Sequence, residues 1–191
     1  MSRRTEGGYT LFMVAGSIFL ILGAAAFAID LSAVRLDRAS DQRVTDTAAA
    51  AGALAVASGN GMTGCEAALG YVALNTPGIS SLDTSGCASF ATSCDAATAR
   101  EYSQVAGRFT VTYVHPVPDG HELMTPGALG SPAQPVDPQD GSSCERVGVR
   151  ITSVPDAPFA RLLGVTAPPT TVHTVARAAV GGGSGTPINL L

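Results

Sequence analysis

From Gly7 to Ile29 the chain carries no charged side chain, and the apolar stretch meets its first acid at Asp30. Tyr9 to Ile29 amounts to about 21 residues, which as a helix rising ~1.5 Å each crosses the ~30 Å hydrocarbon layer of a bilayer once. No second stretch of comparable length and apolarity follows. A single membrane span over residues 9–29 is therefore expected, preceded by a short cytosolic segment, residues 1–8.

Positive charge alone does not orient the span, because Arg3 and Arg4 precede it while Arg35, Arg38 and Arg43 follow it. The cysteines supply the orientation. Cys65, Cys87, Cys94 and Cys144 all lie on the C-terminal side, their number is even, and none sits in a Cys-x-x-Cys spacing. Such a set belongs in an oxidising compartment, which puts the N-terminus in the cytosol and the body outside. Arg3, Arg4, the core from Leu11 to Leu22 and Ala26-Phe27-Ala28 also imitate a cleavable signal peptide. The apolar run nevertheless continues through Ala24 to Ile29 into helix-favouring residues without a breaker, so a retained anchor is expected.

From Asp30 the helical pattern continues through Ala48-Ala49-Ala50-Ala51 to about Ser58, which makes one helix of about 50 residues, roughly 75 Å long. Gly59-Asn60-Gly61 ends it. Thr63-x-x-Glu66 reads as a capping box opening a second helix that runs to about Leu74. Arg108–Val114, Val147–Val154 and Thr170–Val180 alternate in the manner of half-buried strands. Pro158–Gly164 reads as one or two helical turns closed by glycine. Half of the prolines lie between Pro116 and Gly141, a segment expected to form a long surface loop rather than core, available to a partner. Gly181–Gly185 reads as a linker, and the apolar end Ile188–Leu191 either docks or frays, so residues 181–191 are expected to be a flexible tail.

With the span removed, about 130 residues remain, enough for one small exported domain over residues 59–180. Four cysteines allow three pairings. Cys65 with Cys87 would staple the second helix and leave Cys94 for Cys144; local pairing of Cys87 with Cys94 is the rival, and the spacing does not choose between them. A zinc site from the same four residues lacks a ligand spacing.

The 191 residues carry a net charge of −4 with no basic stripe and no lysine, which leaves nucleic-acid binding without electrostatic support. His115, His121 and Glu122 lie close in sequence, but nothing fixes them on one helix or hairpin, and they read as solvated loop residues. No Gly-x-Ser-x-Gly elbow, phosphate loop, His-Glu-x-x-His helix or dinucleotide turn is present, so neither an enzyme nor a cofactor is expected.

Arg3-Arg4-x-Glu6-Gly7-Gly8, the apolar span, Ala28-x-Asp30-Leu31 and Thr45-Asp46-Thr47-Ala48-Ala49 together resemble the N-terminal module of TadG-like proteins. Those belong, with TadE-like relatives, to the Tad (Flp) pilus-assembly systems. The resemblance covers residues 1 to about 57. A weaker likeness to the end of such exported domains lies in Val147-Gly148-Val149-x-Ile151, Phe159-x-x-Leu162-Leu163-Gly164-Val165 and Val172-x-x-Val175-Ala176-Arg177-Ala178. Some longer TadG proteins carry a von Willebrand A-like domain with a metal-binding motif; this chain has no Asp-x-Ser-x-Ser, and no metal role carries over. Prepilin-type cleavage after Gly8 would put Met13 where a glutamate is expected, so that processing does not carry over either.

The resemblance implies a membrane-anchored, pilin-like accessory or minor subunit whose partners are membrane lipid and other Tad-type subunits or assembly-platform proteins. The small residues Ala15, Gly16, Ser17, Gly23 and Ala24 would let another helix pack closely within lipid. At the lipid boundary Asp30 is either solvated or paired with a neighbouring subunit. Asp46 is either a solvated position beside Arg43 or an assembly contact. The expected architecture is α+β: a long helix, half in the membrane, carrying a disulfide-stapled domain with a three- to four-stranded antiparallel sheet. The rival function is a secreted or membrane-tethered binding module that uses the 116–141 loop.

Overall fold

The computed structural model of the chain describes residues 6–124, 142–178 and 188–190. They fall into two compact units, Met1–Asp37 with Pro155–Pro168, and Arg38–Val154 with Pro169–Leu191. Helix α1, Glu6–Ser58, is 53 residues long and belongs to both. Its length follows from the absence of an interior proline and from many alanines and leucines, which outnumber its five glycines.

In the larger unit α1 ends at Ser58, and α2 spans Gly61–Asn75. The box that opens α2 lies three residues earlier than the Thr63-x-x-Glu66 reading. Asn60 is the N-cap, its side chain accepting from the Thr63 amide at 3.1 Å while the Thr63 hydroxyl accepts from the Asn60 amide at 3.0 Å. Both residue types are good caps, and Asn60 has the extended backbone that a cap requires.

The antiparallel sheet has the order β1-β2-β3-β4-β5, with β1 Glu101–Ala106, β2 Phe109–Val114, β3 Arg146–Ser153, β4 Thr170–Ala178 and β5 Ile188–Leu190. The four longer strands form the expected α+β sheet, and three residues of β5 extend it along the end of β4. The tail expectation is corrected there: Ile188–Leu190 pairs with Ala176–Ala178 rather than fraying. Strand β1 was not anticipated; Gly107, at φ +60°, turns the chain between it and β2. The Gly181–Gly185 linker lies outside the described residues.

On one face, Phe109, Val111 and Tyr113 of β2 stand beside Val147, Val149 and Ile151 of β3 and Val172 and Ala176 of β4. Ala48, Ala49 and Ala53 of α1 and Cys65, Ala68, Leu69 and Val72 of α2 bury against them. The alanine run has no bulk of its own to fill a core; its use is to let helices approach. At Gly64 a Cβ would stand 2.3 Å from Val56 Cγ2 and 3.0 Å from the Gly52 carbonyl oxygen, so α1 and α2 touch backbone to backbone there.

The opposite face is covered by the chain following β2. Val117, Leu123 and Met124 bury there with Val114 and Val175. A Cβ at Gly148 would lie 2.6 Å from Leu123 Cδ1. The described beginning of the 116–141 segment is thus core rather than surface loop, a correction with a plain cause: an antiparallel sheet with two apolar faces has to cover both. Residues 125–141 lie outside the described residues.

Two disulfides complete this unit, Cys65–Cys87 and Cys94–Cys144. The first ties α2 to the 3₁₀ turn Ser85–Phe90; the second ties the following loop to the residues just before β3.

Candidate functional site

The smaller unit holds the apolar half of α1. An 18-residue window of this helix has mean hydropathy 2.4 and none of it is buried. Leu11, Phe12, Phe19, Leu20 and Phe27 are each at least 70% exposed, so the described residues supply no partner for this surface. The polar Ser17 satisfies its hydroxyl within the helix, donating to the Val14 carbonyl at 2.8 Å, as a serine in hydrocarbon must. Gly16 and Gly23, spaced by seven, have open space above their Cα atoms. The helix is long and apolar enough to be a single membrane span, and the disulfides suit an extracellular domain.

At the end of the apolar stretch, the Asp30 carboxylate has partners within its own chain. Its carboxylate accepts from the Phe159 amide at 3.1 Å and the Ala160 amide at 2.7 Å. These are the first turn of α3, Pro158–Leu162, whose own cap residue Ala157 has no side-chain acceptor to offer. Asp30 therefore does the capping from another part of the chain. Two helical turns further, Asp37 accepts from the Asp156 amide at 3.4 Å.

Within the larger unit two more acids of α1 are occupied in the same way. Asp41 is buried and accepts from the Ser153 hydroxyl at 2.6 Å. Asp46 accepts from Gln42 Nε2 at 2.6 Å and from the Thr174 hydroxyl, while Gln42 Nε2 also donates to Thr174 Oγ1 at 2.9 Å. Asp46 thus reaches Thr174 of β4 within its own chain.

No protein-family model, curated protein or solved structure matches this chain.

Of the three residues expected to be solvated, Glu122 is exposed, whereas His115 and His121 are shielded. His115 is buried, and its Nδ1 lies 3.0 Å from the Arg146 carbonyl oxygen. Because a carbonyl only accepts, Nδ1 carries the proton and Nε2 is left as the acceptor. The ring borders a cleft of about 280 Å³ lined also by Val56, Asn60, Thr92 and the Cys94–Cys144 bridge, and among the described residues it is the one titratable side chain there. His121 Nε2 meets Glu101 at 3.1 Å, and Glu122 pairs with Arg150, which also reaches Glu101 at 3.5 Å. The cluster is a charge network on the sheet; among the described residues no three His, Cys, Asp or Glu side chains converge as a metal site would need.

Burial, with Arg100 nearby, holds His115 below its ordinary 6.5, and burial with Arg150 does the same to His173. The unfolded chain then binds protons below about pH 6.5 that the folded chain refuses, so stability is complete above that pH and falls as pH drops toward the folded values. Asp83 and Asp95 are held below 3.8 by hydrogen bonds and act at lower pH. We expect the urea midpoint to decline between about pH 7 and about pH 5.5 and the decline to flatten in His115→Gln. An unchanged slope in that variant would place the response elsewhere.

Proposed function

We propose that this chain is a membrane-anchored, pilin-like accessory or minor subunit of a Tad (Flp)-type pilus or related secretion apparatus, a structural component rather than an enzyme. Its N-terminus lies in the cytosol and its disulfide-bonded domain outside. The observation that carries this reading is the apolar half of α1, an exposed surface without a partner among the described residues. Such a surface needs lipid or another helix.

The resemblance of residues 1 to about 57 to TadG-like proteins supports the choice of apparatus. Asp30 and Asp46 already have hydrogen bonds within the chain, which favours the span as the assembly contact, for the open space at Gly16 and Gly23 would admit a neighbouring helix to close range. The acids then hold the exported residues to their own helix.

The test uses the full chain in its own host, with a photo-crosslinking residue at Ala24. Adducts with other subunits or platform proteins of the pilus machinery are expected, and they should disappear in the Gly16→Leu/Gly23→Leu double variant while the protein stays in the membrane fraction. Adducts confined to lipid, with filaments formed normally by the double variant, would sink the proposal.

A further inference from the structure

Beyond Asp30 the smaller unit exposes an apolar tip. Phe159 is 39% exposed, Leu162 82%, Leu163 79% and Val165 56%. Helix α3 buries none of its residues, and Gly164, at φ +74°, turns the chain just past it. Four large apolar side chains within seven residues are costly to leave in water. They are also held in place, for the two amides on Asp30 belong to Phe159 and Ala160.

The position of that tether decides what covers the tip. Asp30 directly follows Ile29, the last residue of the apolar stretch, so the tip is fastened where the hydrocarbon ends. Along α1, Ala26, Asp30, Ala33, Val34 and Asp37 are half-buried while their neighbours are exposed. This spacing is one helical stripe, and Pro155–Pro168 is the segment that shares the unit with it. The stripe begins at Ala26, four residues on the membrane side of Asp30, or about 6 Å along the helix. Arg161 forms an exposed ion pair with Asp156 at 2.9 Å, a cation at the level of lipid head groups.

We propose that Pro158–Val165 is a second membrane contact, an interfacial segment whose Phe159, Leu162, Leu163 and Val165 enter the boundary between head groups and acyl chains of the outer leaflet, fastened there by Asp30. This rests on the reading of Tyr9–Ile29 as a membrane span. A short segment of this kind reaches about 5–10 Å below the head groups and does not cross. Its consequence is a helix gripped at the membrane surface by its own chain, with tilt and rotation restricted where a lone span would turn freely.

The sequence contains no tryptophan, so one introduced tryptophan reports a single position. Full-length Leu163→Trp, Phe19→Trp and Leu54→Trp are each reconstituted in phosphatidylcholine vesicles with and without bromine on the acyl chains. For Leu163→Trp we expect blue-shifted emission that brominated lipid cuts roughly in half, a shallow-insertion result. Phe19→Trp should be quenched within the span, and Leu54→Trp, near the far end of α1, should not be. Adding Asp30→Ala to Leu163→Trp should weaken its quenching; adding it to Phe19→Trp should change nothing.

An unquenched Leu163→Trp beside a quenched Phe19→Trp overturns the inference and leaves the anchor intact. An unquenched Phe19→Trp overturns the anchor itself. Blue-shifted but unquenched emission from Leu163→Trp, growing with the protein-to-lipid ratio, would mean that a second copy covers the tip and would also overturn it.

Discussion

Truncating Tyr113 to alanine is expected to lower the unfolding free energy of the disulfide-bonded unit by about 3–5 kcal/mol, the range for removing a buried aromatic. Tyr113 has no exposed surface and joins three elements. Its ring meets Phe90 edge-on with centroids 5.0 Å apart, and its hydroxyl donates to the Gly61 carbonyl at 3.2 Å, at the start of α2. Burial raises its pKa far above the usual phenol value, so the hydroxyl stays protonated and remains a donor. Tyr113→Phe keeps the ring and removes only that bond, at about 1 kcal/mol. The urea midpoint measures both: a similar loss in the two variants would mean that the hydrogen bond, not the packing, seats α2 on the sheet.

The second large effect is expected from the bridges. Cys65–Cys87 closes a separation of 22 residues and Cys94–Cys144 one of 50. In the loop-entropy account, removing them costs about 3 and about 4 kcal/mol respectively. Two paired-alanine variants, Cys65→Ala/Cys87→Ala and Cys94→Ala/Cys144→Ala, test this by the same denaturation. Losing both would remove most of the stability typical of a small domain, so the reduced protein is expected to be largely unfolded. Wild-type stability in either paired variant would show that its bridge is an ornament on a fold held by its core.

Much of this architecture was legible where a single period governs the residues. The apolar run to Ile29 reads as helix throughout, and the strands expected over Arg108–Val114 and Val147–Val154 fall within a residue of β2 and β3, whose inward row includes Phe109, Val111 and Tyr113. Strand β1 hid because it lies at the sheet edge, with Gln104 half-buried and Val105 exposed. Gly107-Arg108 was the signal that could have found it, a two-residue turn with glycine first.

The site was less legible, because its partners are far apart in the chain. Asp30 lies 129 residues from Phe159, and Asp41 lies 112 from Ser153; no local pattern announces either pair. A carboxylate beside an apolar helix looks the same in sequence whether it meets water, a second subunit or a distant turn of its own chain. The pairing of the cysteines was open for the same reason. The burial of Val117, Leu123 and Met124 was hidden differently, since apolar residues scattered among prolines carry no period.

The three residues of β5 turn the last third of β4 from an edge into an interior strand, leaving Thr170–Val175, among the described residues, without a paired strand on that side. Trimming the chain after Ala178 would lengthen the open row of backbone donors and acceptors to the whole of β4. Exposed rows of that kind recruit strands from other molecules. A tag or truncation at this end is therefore not a neutral change: it would alter how readily purified protein sticks to itself, even with every other contact in the fold intact.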